Sequence, residues 1–220
     1  MARLTRLAPA FCAALIVLLA VALAASGAVL GCSSQSRVDL ICEGNSKANN
    51  LTTGSGNDRL IGNGGNDRLD GRGGTDYESG GSGDDTLHGG DQTDDMHGGT
   101  GRDIMIGDEK GQKGNDKMYG GKSADRMFGL EGNDLMDGGP GNDVIIGEQG
   151  DDTILGGSGN DKVSLREGND TFDGGSGDDN VVSGGDGKRD TVKCGPGRDT
   201  AKVDGKDKVA GDCEIVRNIG

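Results

Sequence analysis

A nine-residue period governs this chain of 220 residues. Between Gly138 and Ser164 it reads GGPGNDVII, GEQGDDTIL and GGSGNDKVS, each unit a glycine-rich turn, an acid and then an apolar residue. Asp143, Asp152 and Asp161 recur every nine residues, with Ile145, Ile154 and Val163 two positions behind them. Such a period restricts the chain to a stack, because one apolar residue per unit is buried only when neighbouring units lie on one another. The three residues after the turn are too few to nucleate a helix but enough for a short strand with its middle residue inward.

The register begins at Asp58 and runs through Asp67, Asp76, Asp85, Asp94 and Asp103. An insertion at Gly107 to Lys113 interrupts it, and it resumes at Asp116, Asp125, Asp134, Asp143, Asp152, Asp161, Asp170 and Asp179. A slip of two residues precedes Asp190 and Asp199. The expected inward residues are Leu60, Leu69, Leu87, Met96, Met105, Met118, Met127, Met136, Ile145, Ile154, Val163, Phe172, Val181 and Val192. Glu78 stands where an aliphatic belongs, and a locally frayed turn is expected there.

Glycine accepts positive φ without steric cost, so a turn built on it can aim several carbonyls at one spot. Calcium, which takes six to eight oxygen ligands in irregular geometry, suits carbonyls joined by one carboxylate per unit. The units resemble the repeat-in-toxin calcium-binding nonapeptide, G-G-x-G-x-D-x-U-x with U apolar. The resemblance implies an all-β fold, a right-handed parallel β-roll in which consecutive units lie on opposite faces and two units make one turn. It also implies calcium held between stacked turns by aspartates and turn carbonyls. The complete turn GGxGxD precedes Asp85, Asp103, Asp143, Asp161 and Asp179, the strongest candidates, followed by Asp58, Asp67, Asp76, Asp116, Asp134 and Asp152. Gln92 and Ser123 replace the fourth-position glycine, and Leu165-Arg166 the leading pair, which makes Asp94, Asp125 and Asp170 weaker ligands.

Composition supports a stack over a globular core: glycine accounts for 46 residues, aromatics for 2%, and tryptophan is absent. The net charge of −14 argues against nucleic acid as a partner, and much of the acid falls in the glycine turns, where carboxylates repel until a cation arrives.

Residues 1–31 read as an export signal, with Arg3 and Arg6 ahead of an apolar run from Phe11 to Ala25. Val29-Leu30-Gly31-Cys32 resembles a bacterial lipobox, so Cys32 is a candidate for lipidation and a membrane tether; cleavage near Ala22-Leu23-Ala24 and an uncleaved anchor are the alternatives. Residues 32–52 are expected to cap the roll, 53–193 to form it, and 194–220 to close it through a disulfide between Cys194 and Cys213. Cys42 pairs with Cys32 only if Cys32 carries no lipid.

No HExxH, GxSxG, P-loop or GxGxxG motif occurs, and His88 and His97, nine residues apart, fall on opposite faces as solvated surface residues unable to share zinc. The leading reading is an exported, bacterial, non-enzymatic calcium-folded β-roll at the cell surface or in the matrix. An accessory or cryptic secreted hydrolase is one alternative. An ice- or glycan-binding module is another, against which the varied first outward positions Arg59, Arg68, Tyr77, Thr86, Asp95, Ile104 and Lys117 argue.

Overall fold

A computed structural model describes residues 39–109 and 111–219. Among them, twenty short strands alternate between two ten-stranded parallel sheets, the odd-numbered strands in one and the even-numbered in the other. Arg59 pairs with Tyr77 and Arg68 with Thr86, so each strand lies beside the one two units further along. The chain is an all-β parallel solenoid of the β-roll kind, about ten turns long. Consecutive units occupy opposite sheets, as the resemblance implied.

Strands in the middle of the stack, such as Val144–Gln149 and Thr153–Ser158, are six residues long and bury their second and fourth residues. The second is the aliphatic and the fourth the first glycine of the next turn, so strand alternation places a large and a small inward residue in every unit. In one sheet the inward ladder is Cys42, Leu60, Glu78, Met96, Met118, Met136, Ile154, Phe172, Val192 and Val209. In the other it is Leu51, Leu69, Leu87, Met105, Met127, Ile145, Val163, Val181 and Ala201, beyond which Val216, on the last strand, is 50% exposed. Together these two columns make one thin continuous core.

The two interruptions of the period leave the sheets intact. Across the insertion Asp95 pairs with Lys117 and Ile104 with Arg126, and the ladder hydrogen bonds there span 22 residues in place of 18. Across the slip they span 20. The additional residues bulge at the turns, where backbone groups reach solvent and strand pairing is not at stake.

Ile41–Glu43 and Asn50–Thr52 pair in register with Arg59–Gly64 and Arg68–Gly73, so the strand pattern reaches back to residue 41. At the other end Ile215–Asn218 pairs with Thr200–Val203, and a disulfide joins Cys194 to Cys213. The bridge closes a loop of 19 residues, a constraint of about 3 kcal/mol in the chain-entropy account. The export signal and Cys32 lie outside the described residues. Cys42 is buried in the first turn and is disulfide-bonded.

Glu78 departs from expectation. No turn is frayed there: the strand Tyr77–Ser82 is complete, and Glu78 is fully buried between Leu60 and Met96. Neither of its carboxyl oxygens has a hydrogen-bond partner. Strand pairing above and below holds the backbone in register whatever side chain it carries, so the misfit is confined to the core. Burial first, then repulsion from Asp76 and Asp70, pushes the Glu78 carboxyl up to about 8 against the Gly71 amide, which lowers it, so burial favours its neutral form. His97 is likewise not simply solvated, since it stacks between Tyr77 and Tyr119 at centroid distances of 5.3 and 4.8 Å. His88 and His97 do fall in opposite sheets, on Thr86–Asp91 and Asp95–Thr100.

Glu78→Leu therefore removes two unsatisfied buried oxygens and continues the aliphatic ladder. The variant is expected to gain about 1–3 kcal/mol, read as a higher thermal midpoint at saturating calcium. A lower midpoint would show that the carboxyl has a partner in solution.

Candidate metal centre

The turns that carry the aspartates have a fixed backbone form. Positive φ recurs at the second and fourth positions of the unit, where glycine is favoured; Gly157 and Gly159, at 107° and 124°, are one such pair. Where other residues stand, the form is kept: Gln92 and Ser123 at the fourth position hold φ of 78° and 85°, and Arg166 at the second holds 71°. The incomplete units thus keep the same turn at the expense of local strain. Leu165, in the leading position, is buried in the core.

Within this frame the backbone N–H of each aspartate donates to the carboxylate Oδ1 of the aspartate one turn further on. Asp143 donates to Asp161 at 2.8 Å, and Asp161 to Asp179 at 2.9 Å. Two such rows run along opposite edges of the roll. One contains Asp58, Asp76, Asp94, Asp116, Asp134, Asp152, Asp170 and Asp190. The other contains Asp67, Asp85, Asp103, Asp125, Asp143, Asp161, Asp179 and Asp199. All twelve sequence-expected ligands stand in these rows, with Asp94 and Asp125 placed in the same way.

The other carboxylate oxygen, Oδ2, is buried without a hydrogen-bond partner in all twelve, and in Asp94, Asp125 and Asp199 as well. In the units led by glycine it points into a recess that a side chain would fill. A Cβ on Gly138 would come within 2.5 Å of Asp143 Oδ2 and 2.7 Å of the Gly156 carbonyl. One on Gly156 would meet the Gly174 carbonyl at 2.5 Å and Asp161 Oδ2 at 2.7 Å. Each recess therefore brings an unpaired carboxylate oxygen and a carbonyl from the following turn to one place. A hard cation with oxygen ligands fits that donor set. Asp190 differs, because the Ser183 hydroxyl donates to its Oδ2 at 2.7 Å.

Without a cation these rows are electrostatically costly. Burial, offset in part by the accepted N–H, raises the carboxyls, and the aspartates of neighbouring turns add to the shift. Asp143 is pushed up to about 6, Asp125, Asp170 and Asp179 to about 7, and Asp116 and Asp152 to about 8. Asp94, burdened also by Asp116, Asp76 and Glu78, reaches about 9.

Three features of the site were not read from sequence. A second, outer row uses the residue just before many of the aspartates, with its bonds reversed: Asn160 N–H donates back to Asn142 Oδ1 at 2.7 Å, and Asp178 N–H to Asn160 Oδ1 at 2.8 Å. The frequent Asn-Asp and Asp-Asp pairs were its signal. The inner rows end on Asp207 and Glu214, which take the N–H of Asp190 and Asp199 at 3.1 and 2.8 Å. Asp108, in the insertion, is also buried beside Asp116.

Among the described residues no three His, Cys, Asp or Glu side chains gather at one point. The recesses combine single carboxylates with backbone carbonyls.

A model of the RTX calcium-binding nonapeptide repeat, spanning four copies, matches residues 43–78, 79–108, 110–136, 128–163, 146–181 and 156–188. A search of curated proteins found no match.

The raised carboxyls set the pH dependence of the ion-free chain. A group whose pKa is higher in the folded state stabilises that state most below its unfolded value, and the contribution is lost as pH rises through the folded value. In excess chelator, strand signal in circular dichroism should therefore grow as pH falls from about 8 to about 4. In calcium the sign reverses, since protons compete with the ion, and the calcium midpoint should rise below about pH 6. A chelated chain with the same signal at both pH values would contradict the burial of these groups.

Proposed function

Since the chain belongs to the RTX calcium-binding nonapeptide repeat family, we propose that calcium enters the recesses along both edges and that its binding drives the roll to fold after export. The chain is a calcium-binding, non-enzymatic β-roll module. Its aspartates Asp58, Asp67, Asp76, Asp85, Asp103, Asp116, Asp134, Asp143, Asp152, Asp161, Asp170 and Asp179 would hold the ions together with turn carbonyls. The carrying observation is the row of buried Oδ2 atoms without partners. The cation supplies positive charge there and turns mutual repulsion into attraction.

Coupling to folding follows from what the core lacks. One aliphatic per unit is a small apolar burial, while ordering glycine costs more backbone entropy than ordering any other residue. Ion binding, absent from the unfolded chain, adds its free energy to the folded state alone. Extracellular calcium modules bind at about 10⁻⁴ to 10⁻³ M, so the chain would remain unfolded in a low-calcium cytosol and fold outside the cell. There it would act as a rigid surface or matrix module.

A calcium titration followed by far-ultraviolet circular dichroism tests the coupling. Strand signal should be largely absent in chelator and develop with calcium. Asp161→Ala, in a complete turn, should raise the midpoint more than Asp125→Ala, whose turn holds Ser123 in the positive-φ position. Full signal in chelator at neutral pH would refute the coupling, and the reverse order would refute the ranking.

A membrane tether at Cys32 rests on the lipobox-like residues before it. The rival state is Cys32 paired with Cys42, and the disulfide bond at Cys42 speaks for it, since Cys194 and Cys213 are bonded to each other. Intact mass of the native protein separates them: a diacylated amino-terminal Cys32 supports the tether, and an unmodified Cys32 excludes it.

A further inference from the structure

We propose that the insertion after Gly107 carries a calcium site of its own, in which Asp108 acts with Asp116 and the carbonyl of Gln92. The site rests on the calcium reading of the repeats but lies outside their pattern, because Asp108 belongs to no nine-residue unit.

Asp108 follows the short strand Ile104–Ile106 and is 1% exposed. Its Oδ2 accepts the N–H of Gly114 at 3.0 Å, which fixes the carboxylate against the returning chain. Its Oδ1 is buried and has no hydrogen-bond partner. That oxygen is aimed at the open side of Gly114. A Cβ on Gly114 would lie 2.9 Å from Asp108 Oδ1 and 2.6 Å from Asp116 Oδ1, with the Gln92 carbonyl nearer still. Three oxygens from three separate stretches of chain thus converge on one point, Asp116 Oδ1 through the lone pair that the Asp94 N–H leaves free.

Regular units do not have this arrangement. At Gly141, which occupies the same position in its turn, the nearest atoms are the Ser123 carbonyl and a single carboxylate oxygen, Asp143 Oδ1. The insertion adds a second carboxylate to a place that otherwise holds one. Burial comes first among the causes that push Asp108 up to about 6, opposed by the Gly114 and Glu131 amides and reinforced by the charges of Glu131 and Asp91. Among the described residues no lysine or arginine forms an ion pair with it.

Two carboxylates and a carbonyl, with no nitrogen or sulfur, select a hard divalent cation, and the loose spacing of a looped-out segment suits calcium over the stricter octahedron of magnesium. Ligand charge sets calcium affinity, so this site should fill before recesses with one carboxylate. It would then tie the insertion to the turn beneath it at the first of the two points where the period breaks.

The test is equilibrium dialysis of the full-length protein against radioactive calcium, comparing wild type with Asp108→Asn. The variant should bind one ion fewer per chain, lost from the tightest class, while its circular dichroism in millimolar calcium matches wild type. Unchanged stoichiometry and affinity would overturn the site. A wild-type chain that binds no calcium would instead overturn the repeat reading itself, so the two failures are distinct. If Asp108→Asn does not fold in calcium, Gly114→Ala keeps the carboxylate but places a methyl group among the three oxygens, and the same loss of one ion decides the matter.

Discussion

The bond from an aspartate amide to the carboxylate of the aspartate one turn later is the interaction on which this molecule depends. It sets the step from turn to turn, 18 residues in the regular units, and persists across the insertion and the slip, where it spans 22 and 20. Glycine favours it where Gly138 and Gly156 stand, because a Cβ there would press on the carboxylate, although Asp170 accepts the same bond with Leu165 in that place. It also uses one oxygen of each carboxylate and, Asp190 apart, leaves the other buried and unsatisfied. Structure and ion affinity therefore have a single cause, and a chain that forms the rows creates the demand for cations in the same step.

The outer row, formed by residues such as Asn142, Asn160 and Asp178, complements the inner one. Its amides donate toward the amino end, whereas the inner amides donate toward the carboxyl end. Where both rows are present, as between Asn142-Asp143 and Asn160-Asp161, one turn is held to the next by bonds of both polarities on the same edge, only one residue apart in sequence. Strand pairing alone would tolerate variation in the turns, but this double stitching does not. The insertion and the slip leave the inner rows unbroken, whereas the outer row is interrupted at Ala124, which has no side-chain acceptor.

The roll was legible in the sequence because its two essential residues, an acid and an aliphatic, recur at one period and serve one purpose. Asp143, Asp152 and Asp161 and the ladder Ile145, Ile154 and Val163 needed nothing beyond spacing to be placed. The Cys194–Cys213 pair was legible because it brackets the last decayed unit. Glu78 was misread because a charged residue in a core position ordinarily implies that the strand fails, whereas here the neighbours carrying Leu60 and Met96 impose the strand from both sides. The outer row was missed because its members vary among Asn, Asp, Thr and Arg, and the donor is always the backbone. Asp108 lay outside the register, and only three-dimensional proximity relates it to Asp116.

The insertion has a further consequence. A stack of near-identical units has a frame problem: a chain displaced by one whole turn recovers almost every contact, and the energy gap to the correct alignment is small. Identity of units gives such a chain many near-degenerate ways to be wrong. The two turns with irregular steps, of 22 and 20 residues, act as unequal marks on an otherwise uniform ruler. A chain shifted by one turn sets both marks against units that cannot accept them, so the aperiodic places give a periodic molecule its single alignment.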